Sequence, residues 1–146
     1  MSPNLVQQFP AALNGVYAAP AAPQNLSAAV RGQGLVWATL DLAGVTTKKG
    51  FLAACAHALQ FPAGLGGNWD ALADCLEDLS WLPPAGVVVH WCNGGPFAAG
   101  RAADVALALE IFEAAARFWT GHQRTFVVLI DAGCGGGRVL PGLAQR

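Results

Sequence analysis

The sequence predicts a small α/β domain: a parallel sheet of three strands, with a fourth available near the N-terminus, packed by helices. Three observations carry this. Val87–Trp91 and Thr125–Ile130 are continuous apolar runs rather than alternations, the pattern of strands covered on both faces. Helical patterns lie between the strand candidates, and such alternation demands right-handed crossovers and hence parallel strands. Finally, 54% of the 146 residues are apolar and 12% charged, against about a quarter charged in ordinary domains. That is enough apolar surface for one buried core, and it argues against disorder.

Taken in order, residues 1–33 form an N-terminal extension in which Gly15–Ala18 can add a short strand. Pro23–Arg31 can add a short helix with proline near its first turn. Leu35–Leu42 is the first long strand. Thr47–Leu59 is helical, with Phe51, Leu52, Cys55 and Leu59 on one side. A second helix spans Asn68–Leu79, and the strand Val87–Trp91 follows. The third helix, Ala102–Trp119, carries the apolar stripe Val105, Leu109, Phe112, Ala116 and Trp119, and leads to the strand Thr125–Ile130. The glycine-rich stretch Ala132–Arg146 lacks apolar periodicity and reads as a flexible tail, dispensable for folding. One domain over residues 34–131, with an extension before it and a tail after it, is the expected organisation.

Charge narrows the function. The formal net charge is −1, but its distribution is uneven: between Lys49 and Arg101 there is no Lys or Arg, and four of the nine acidic residues fall in Asp70–Asp78. A nucleic-acid binder would show a basic stripe; this distribution points to a basic protein partner. The N-terminus carries no charge before Arg31, unlike the basic start of a secretory signal, and Pro10, Pro20 and Pro23 interrupt it. No apolar run is long enough to span a bilayer, so the expectation is a cytoplasmic protein without a membrane partner. Cys55, Cys75, Cys92 and Cys134 have no paired spacing and read as reduced thiols.

The strongest local signal is the stretch from Phe61 to Leu79. Pro62, Gly64, Gly66 and Gly67 make a loop, and Asn68 is a natural helix N-cap. At about 100° per residue, Leu72, Cys75, Leu76 and Leu79 share one side, and Asp70, Asp74, Glu77 and Asp78 share the other. Charge runs commonly just solvate a helix face. Here, though, Asp is a poor helix former, and like charges four residues apart each cost a few tenths of a kcal/mol. The sequence sets no basic residue beside them, and Asp78 sits at the unfavourable end of the helix dipole. A face selected for stability would mix in Lys or Arg.

These residues, Gly66-x-Asn68-x-Asp70-Ala71-Leu72-x-Asp74-Cys75-Leu76, followed by Ser80-Trp81-Leu82-Pro83 and the strand Val87–Trp91, resemble the barstar family of intracellular ribonuclease inhibitors. The likeness is greatest to longer bacterial members with an N-terminal extension, and it runs from roughly Gly34 to Asp131. It implies a small three-layer barstar-like fold, a non-enzymatic function and a ribonuclease as the basic partner. It further implies that Asp70 and Asp74 grip the nuclease, with Asp74 in the place of the substrate phosphate. The implied contact set is Asn68, Trp69, Asp70, Ala73, Asp74, Glu77 and Asp78, with Gly64 and Gly66 in the loop. Departures are evident. The family's loop tyrosines are replaced by Gly64 and Leu65, and its helix tryptophan by Ala73. An acid of its last helix is matched by Ala114, with Glu113 one position off, while Glu77 and Asp78 replace uncharged residues. An interface altered in this way suits a different partner from the family's usual one. It leaves open an interaction module of the same fold whose basic partner is no nuclease.

Other chemistries fit less well. Val127–Leu140 contains Asp131-x-Gly133-x-Gly135-x-Gly137, which resembles the first glycine motif of methyltransferases that use S-adenosylmethionine. That motif opens a domain, whereas nine residues follow Gly137; an enzyme of this type is a distant third reading. Asp70 and Asp74 on an exposed face lack the burial that a general acid needs. His57, His90 and His122 lie on separate elements, His90 reads as a core residue, and His90 with Cys92 lacks a second ligand pair. No catalytic residue, metal or cofactor is expected.

Overall fold

The structure, a computed structural model, describes residues 8–136 and 139–143. Four strands, β1 (Gly15–Ala18), β2 (Val36–Asp41), β3 (Gly86–Cys92) and β4 (Thr125–Ile130), form one sheet in the order β1-β4-β3-β2, every neighbouring pair parallel. The short N-terminal strand thus takes the fourth place, from Gly15 opposite Val127 to Ala18 opposite Ile130. Asn14 extends this edge: its side-chain oxygen accepts from the Phe126 amide at 2.7 Å and its NH2 donates to the Arg124 carbonyl at 2.8 Å.

Alternation along the strands sends side chains to two cores. One face carries Ala38, Leu40, Val87, Val89, Trp91, Phe126, Val128 and Ile130, packed under α2 (Lys48–Ala58), α3 (Trp69–Leu76) and α5 (Ala102–Thr120). The other presents Val88, Val127 and Leu129 to Leu26, Phe9 and Val30, the last of these in α1 (Ser27–Gly32). Helices on both sides of a fully buried β3 and β4 make three layers. The α5 stripe of Val105, Leu109, Phe112, Ala116 and Trp119 is buried as its periodicity predicts. Thr47 caps α2, accepting from the Gly50 amide at 3.0 Å. Gly86 permits the closest approach in the sheet: at φ 125°, a Cβ there would stand 2.1 Å from the Thr125 carbonyl oxygen.

Three features depart from expectation. A short helix α4 (Gly95–Gly100) follows β3, and its Phe97 stacks on Phe51 with ring centroids 5.2 Å apart. The acidic helix ends at Leu76 rather than Leu79: Glu77 is its C-cap, and Leu79 takes a left-handed φ of 47° so that its side chain turns back into the core. The reading of residues 132–146 as a loose tail also needs correction over the described part. Cys134 is 3% exposed and its sulfur accepts from the Gly94 amide at 3.2 Å. Leu140 and Leu143 pack against the two cores, and Gly142 bridges to Ala18 beside β1.

Candidate functional site

The loop before α3 is set by backbone geometry. Gly64 and Gly66 have φ of 82° and 84°, and a Cβ at Gly66 would stand 2.6 Å from the Phe61 ring, so only glycine lets the chain fold over that ring. Asn68 then caps the helix, its side-chain oxygen accepting from the Ala71 amide at 2.8 Å, with the helix N-terminus favouring Asp70 in the first turn.

Side-chain partition follows the sequence pattern. Leu72, Cys75, Leu76 and Leu79 are buried; Asp70, Asp74 and Asp78 are exposed; Glu77 and Ala73 are half-buried. Asp70 and Asp74 make no hydrogen bond or ion pair among the described residues. Trp69 is half-buried, its ring 5.9 Å from that of Phe51, with Lys48 Nζ 5.6 Å above it. Within the loop Gly64 is exposed, Gly66 buried and Leu65 49% exposed.

The far end of α3 is clamped from α5 and from the residue just before β4. Trp119 donates its indole N–H to the Leu76 carbonyl at 2.7 Å. Arg124, its guanidinium 4.8 Å over the Trp119 ring, donates to the carbonyls of Leu79, Leu82 and Pro83 at 2.8, 3.1 and 2.9 Å. Burial lowers the Arg124 pKa, and the nearby Asp78 charge works against that fall. The expectation of no basic residue near the acids is thus corrected: Arg124 and Lys48, distant in sequence, close in on either end of α3. Neither cation forms an ion pair with the carboxylates of Asp70 or Asp74.

Alongside α3, the outward side of α5 presents Leu107, Glu110, Ile111, Glu113, Ala114 and Arg117. A groove between the two helices joins Ala73 to Ile111. Of these residues, sequence reasoning noted only Glu113 and Ala114. The i, i+3, i+4 spacing of Leu107, Glu110, Ile111, Ala114 and Arg117 was the signal for one continuous outward face.

Elsewhere, His90 is 8% exposed, its Nε2 2.9 Å from Asp131 Oδ1, and it packs on Trp37, a core role as its strand predicts. All four cysteines are free and buried. Among the described residues no cluster of His, Cys, Asp and Glu could hold a metal ion, and no helix is long and apolar enough to cross a membrane. The described residues after Asp131 form turns and one bridge, where the methyltransferase motif would require a helix.

The fold and site together define a three-layer α/β protein with an exposed acidic helix as its most distinctive surface device. Residues 35–131 match the family model described as Barstar (barnase inhibitor), and the chain belongs to the barstar family, a family of inhibitors. No curated protein and no solved structure matches the chain.

Proposed function

We propose that this chain is a cytoplasmic inhibitor that binds a ribonuclease and blocks its basic active site with the acidic face of α3 and the glycine loop before it. One observation carries the reading. In a chain of this family, Asp70 and Asp74 stand exposed, one turn apart, without internal partners, on a helix capped at one end and clamped at the other. Short side chains carried on a backbone fixed in advance lose little further freedom on binding. The two carboxylates suit the cations with which a nuclease holds phosphate, Asp74 taking the phosphate's place. Asn68, Trp69, Ala73, Glu77 and Asp78 complete the contact surface with Gly64 and Gly66. A second reading, a basic partner without nuclease activity, is favoured by Ala73, Leu65 and Ala114, since an interface lacking aromatic anchors selects other partners.

The test is capture on the immobilised full chain at low salt, identification of the bound protein, and assay of its RNA cleavage. The expected partner is a ribonuclease silenced by an equimolar amount of the chain. Asp74→Ala should weaken binding by about 2–5 kcal/mol, the general cost of stranding one member of a buried charged pair, a range that draws on complexes of this family among others. Glu77→Ala, at the rim, should mainly slow association, and added salt should slow it further. A basic partner without nuclease activity selects the second reading. Equal, small losses for both variants would reduce the helix to a solvated face.

A further inference from the structure

On α3 and α5 the two carboxylates do not stand on a flat surface. Ala73 carries only a methyl group, and two depressions of ≈ 470 and ≈ 460 Å³ meet there, both lined by Ala73 and Ile111. Leu107, 38% exposed, extends the apolar lining on one side, and Ala114 does so on the other. Asp70 lines the first depression and Glu110 the second, and neither makes a hydrogen bond or ion pair among the described residues. An apolar floor between carboxylates that form no ion pair is complementary to an apolar side chain carried between cations.

We infer that the groove at Ala73 receives one aromatic or branched apolar side chain of the protein partner, presented on a segment with a basic residue on each side. This rests on the reading that the α3 face is the binding surface, and it adds which side supplies the anchor. A knob from the partner fills the socket that Ala73 leaves open, so the identity of residue 73 governs partner choice. Lys48 at one end and Arg117 at the other each add a positive charge to the lining. They fix the register in which a basic segment can lie, because a cation placed against either is repelled.

The test uses the 15N-labelled full chain and three end-blocked tripeptides, Arg-Phe-Arg, Arg-Gly-Arg and Glu-Phe-Glu, followed by NMR titration. Arg-Phe-Arg should bind at least about tenfold more tightly than either of the others and shift the amides of Ala73, Leu107 and Ile111. Ala73→Trp fills the groove while keeping Asp70 and Asp74, and should bring Arg-Phe-Arg down to the level of Arg-Gly-Arg. If that variant fails to fold, Leu107→Ser, at an exposed position, should give a loss of several-fold for Arg-Phe-Arg alone. Equal binding of Arg-Phe-Arg and Arg-Gly-Arg, or shifts that miss the groove, would overturn the socket. Equal binding of Glu-Phe-Glu would overturn its demand for flanking cations. The peptides contain no nuclease, so these outcomes stand apart from the identity of the captured partner. A ribonuclease inhibited equally by wild type and Ala73→Trp would sink the socket and leave the inhibitor reading intact.

Discussion

At position 68 a single side chain starts the acidic helix. Asn68→Ala removes the acceptor of the Ala71 amide and should lower stability by about 1 kcal/mol, read as a lower urea midpoint at unchanged slope. The thiols make a second residue-scale case. Burial pushes Cys55 and Cys75 up, and pushes Cys92 up to about 11, with Asp41 and Asp131 adding to the rise at Cys92. A thiol whose pKa is raised on folding stabilises the native state below the unfolded value and loses that contribution as pH climbs through the folded one. Stability should therefore fall between about pH 9 and pH 11, as unfolded thiols ionise before native Cys92 does. Denaturant titrations across that interval check the sign. Near pH 8, iodoacetamide should leave the native cysteines unmodified and label all four once the chain unfolds.

Elements were legible in proportion to how much of their pattern lay in one stretch of sequence. β3, β4 and α5 announced themselves through apolar runs and a regular stripe, and their bounds came out within about two residues. The division of α3 into an apolar and an acidic side was equally visible, because it depends only on helical geometry. α4 was not, since Gly-Pro-Phe-Ala-Ala-Gly is too short for a period and is bounded by glycines; Phe97 is held there by Phe51, far away in sequence. Tertiary approach also explains why Lys48, Ile111 and Arg117 were missed beside the acids. Arg124 is the clearest example. Nothing around it in sequence hints that its guanidinium serves four carbonyls, those of Asp78, Leu79, Leu82 and Pro83, in the segment after α3. Arg124→Met keeps the aliphatic stem but strands those carbonyls, and should cost about 2–3 kcal/mol in urea unfolding. Arg124→Lys should recover part of the loss, since an ammonium cannot reproduce the fork.

Over the whole molecule, the family-matched residues 35–131 do not close the fold by themselves. The second face of the sheet, with Val88, Val127 and Leu129, is covered by Phe9, Leu26 and Val30, all of which precede the matched region. Segments on either side of the matched region also hold one another. The Ala18 amide at the end of β1 donates to the Pro141 carbonyl at 2.8 Å, Gly142 bridges to Ala18, and Leu143 packs against the same second core. The Thr125 hydroxyl at the start of β4 donates to the Phe9 carbonyl, fastening the first described turn of chain to the central strands. Burying a Phe, Leu or Val contributes about 1.5–3 kcal/mol each. Removing Phe9, Leu26 and Val30 together therefore takes away an amount comparable to a domain's entire net stability of about 5–15 kcal/mol. A chain trimmed to residues 35–131 should be unfolded or aggregated, with Val88, Val127 and Leu129 open to solvent and the β4 edge unpaired. Trimming only residues 132–146 should give an intermediate result, because Cys134, Leu140 and Leu143 are lost but the N-terminal cover remains. Circular dichroism melts and light scattering on the full chain and the two trimmed forms rank the three. An unchanged melt for the 35–131 form would show that the acidic helix and its sheet need none of this cover. The exposed acidic surface of α3 would then be independent of the flanking segments.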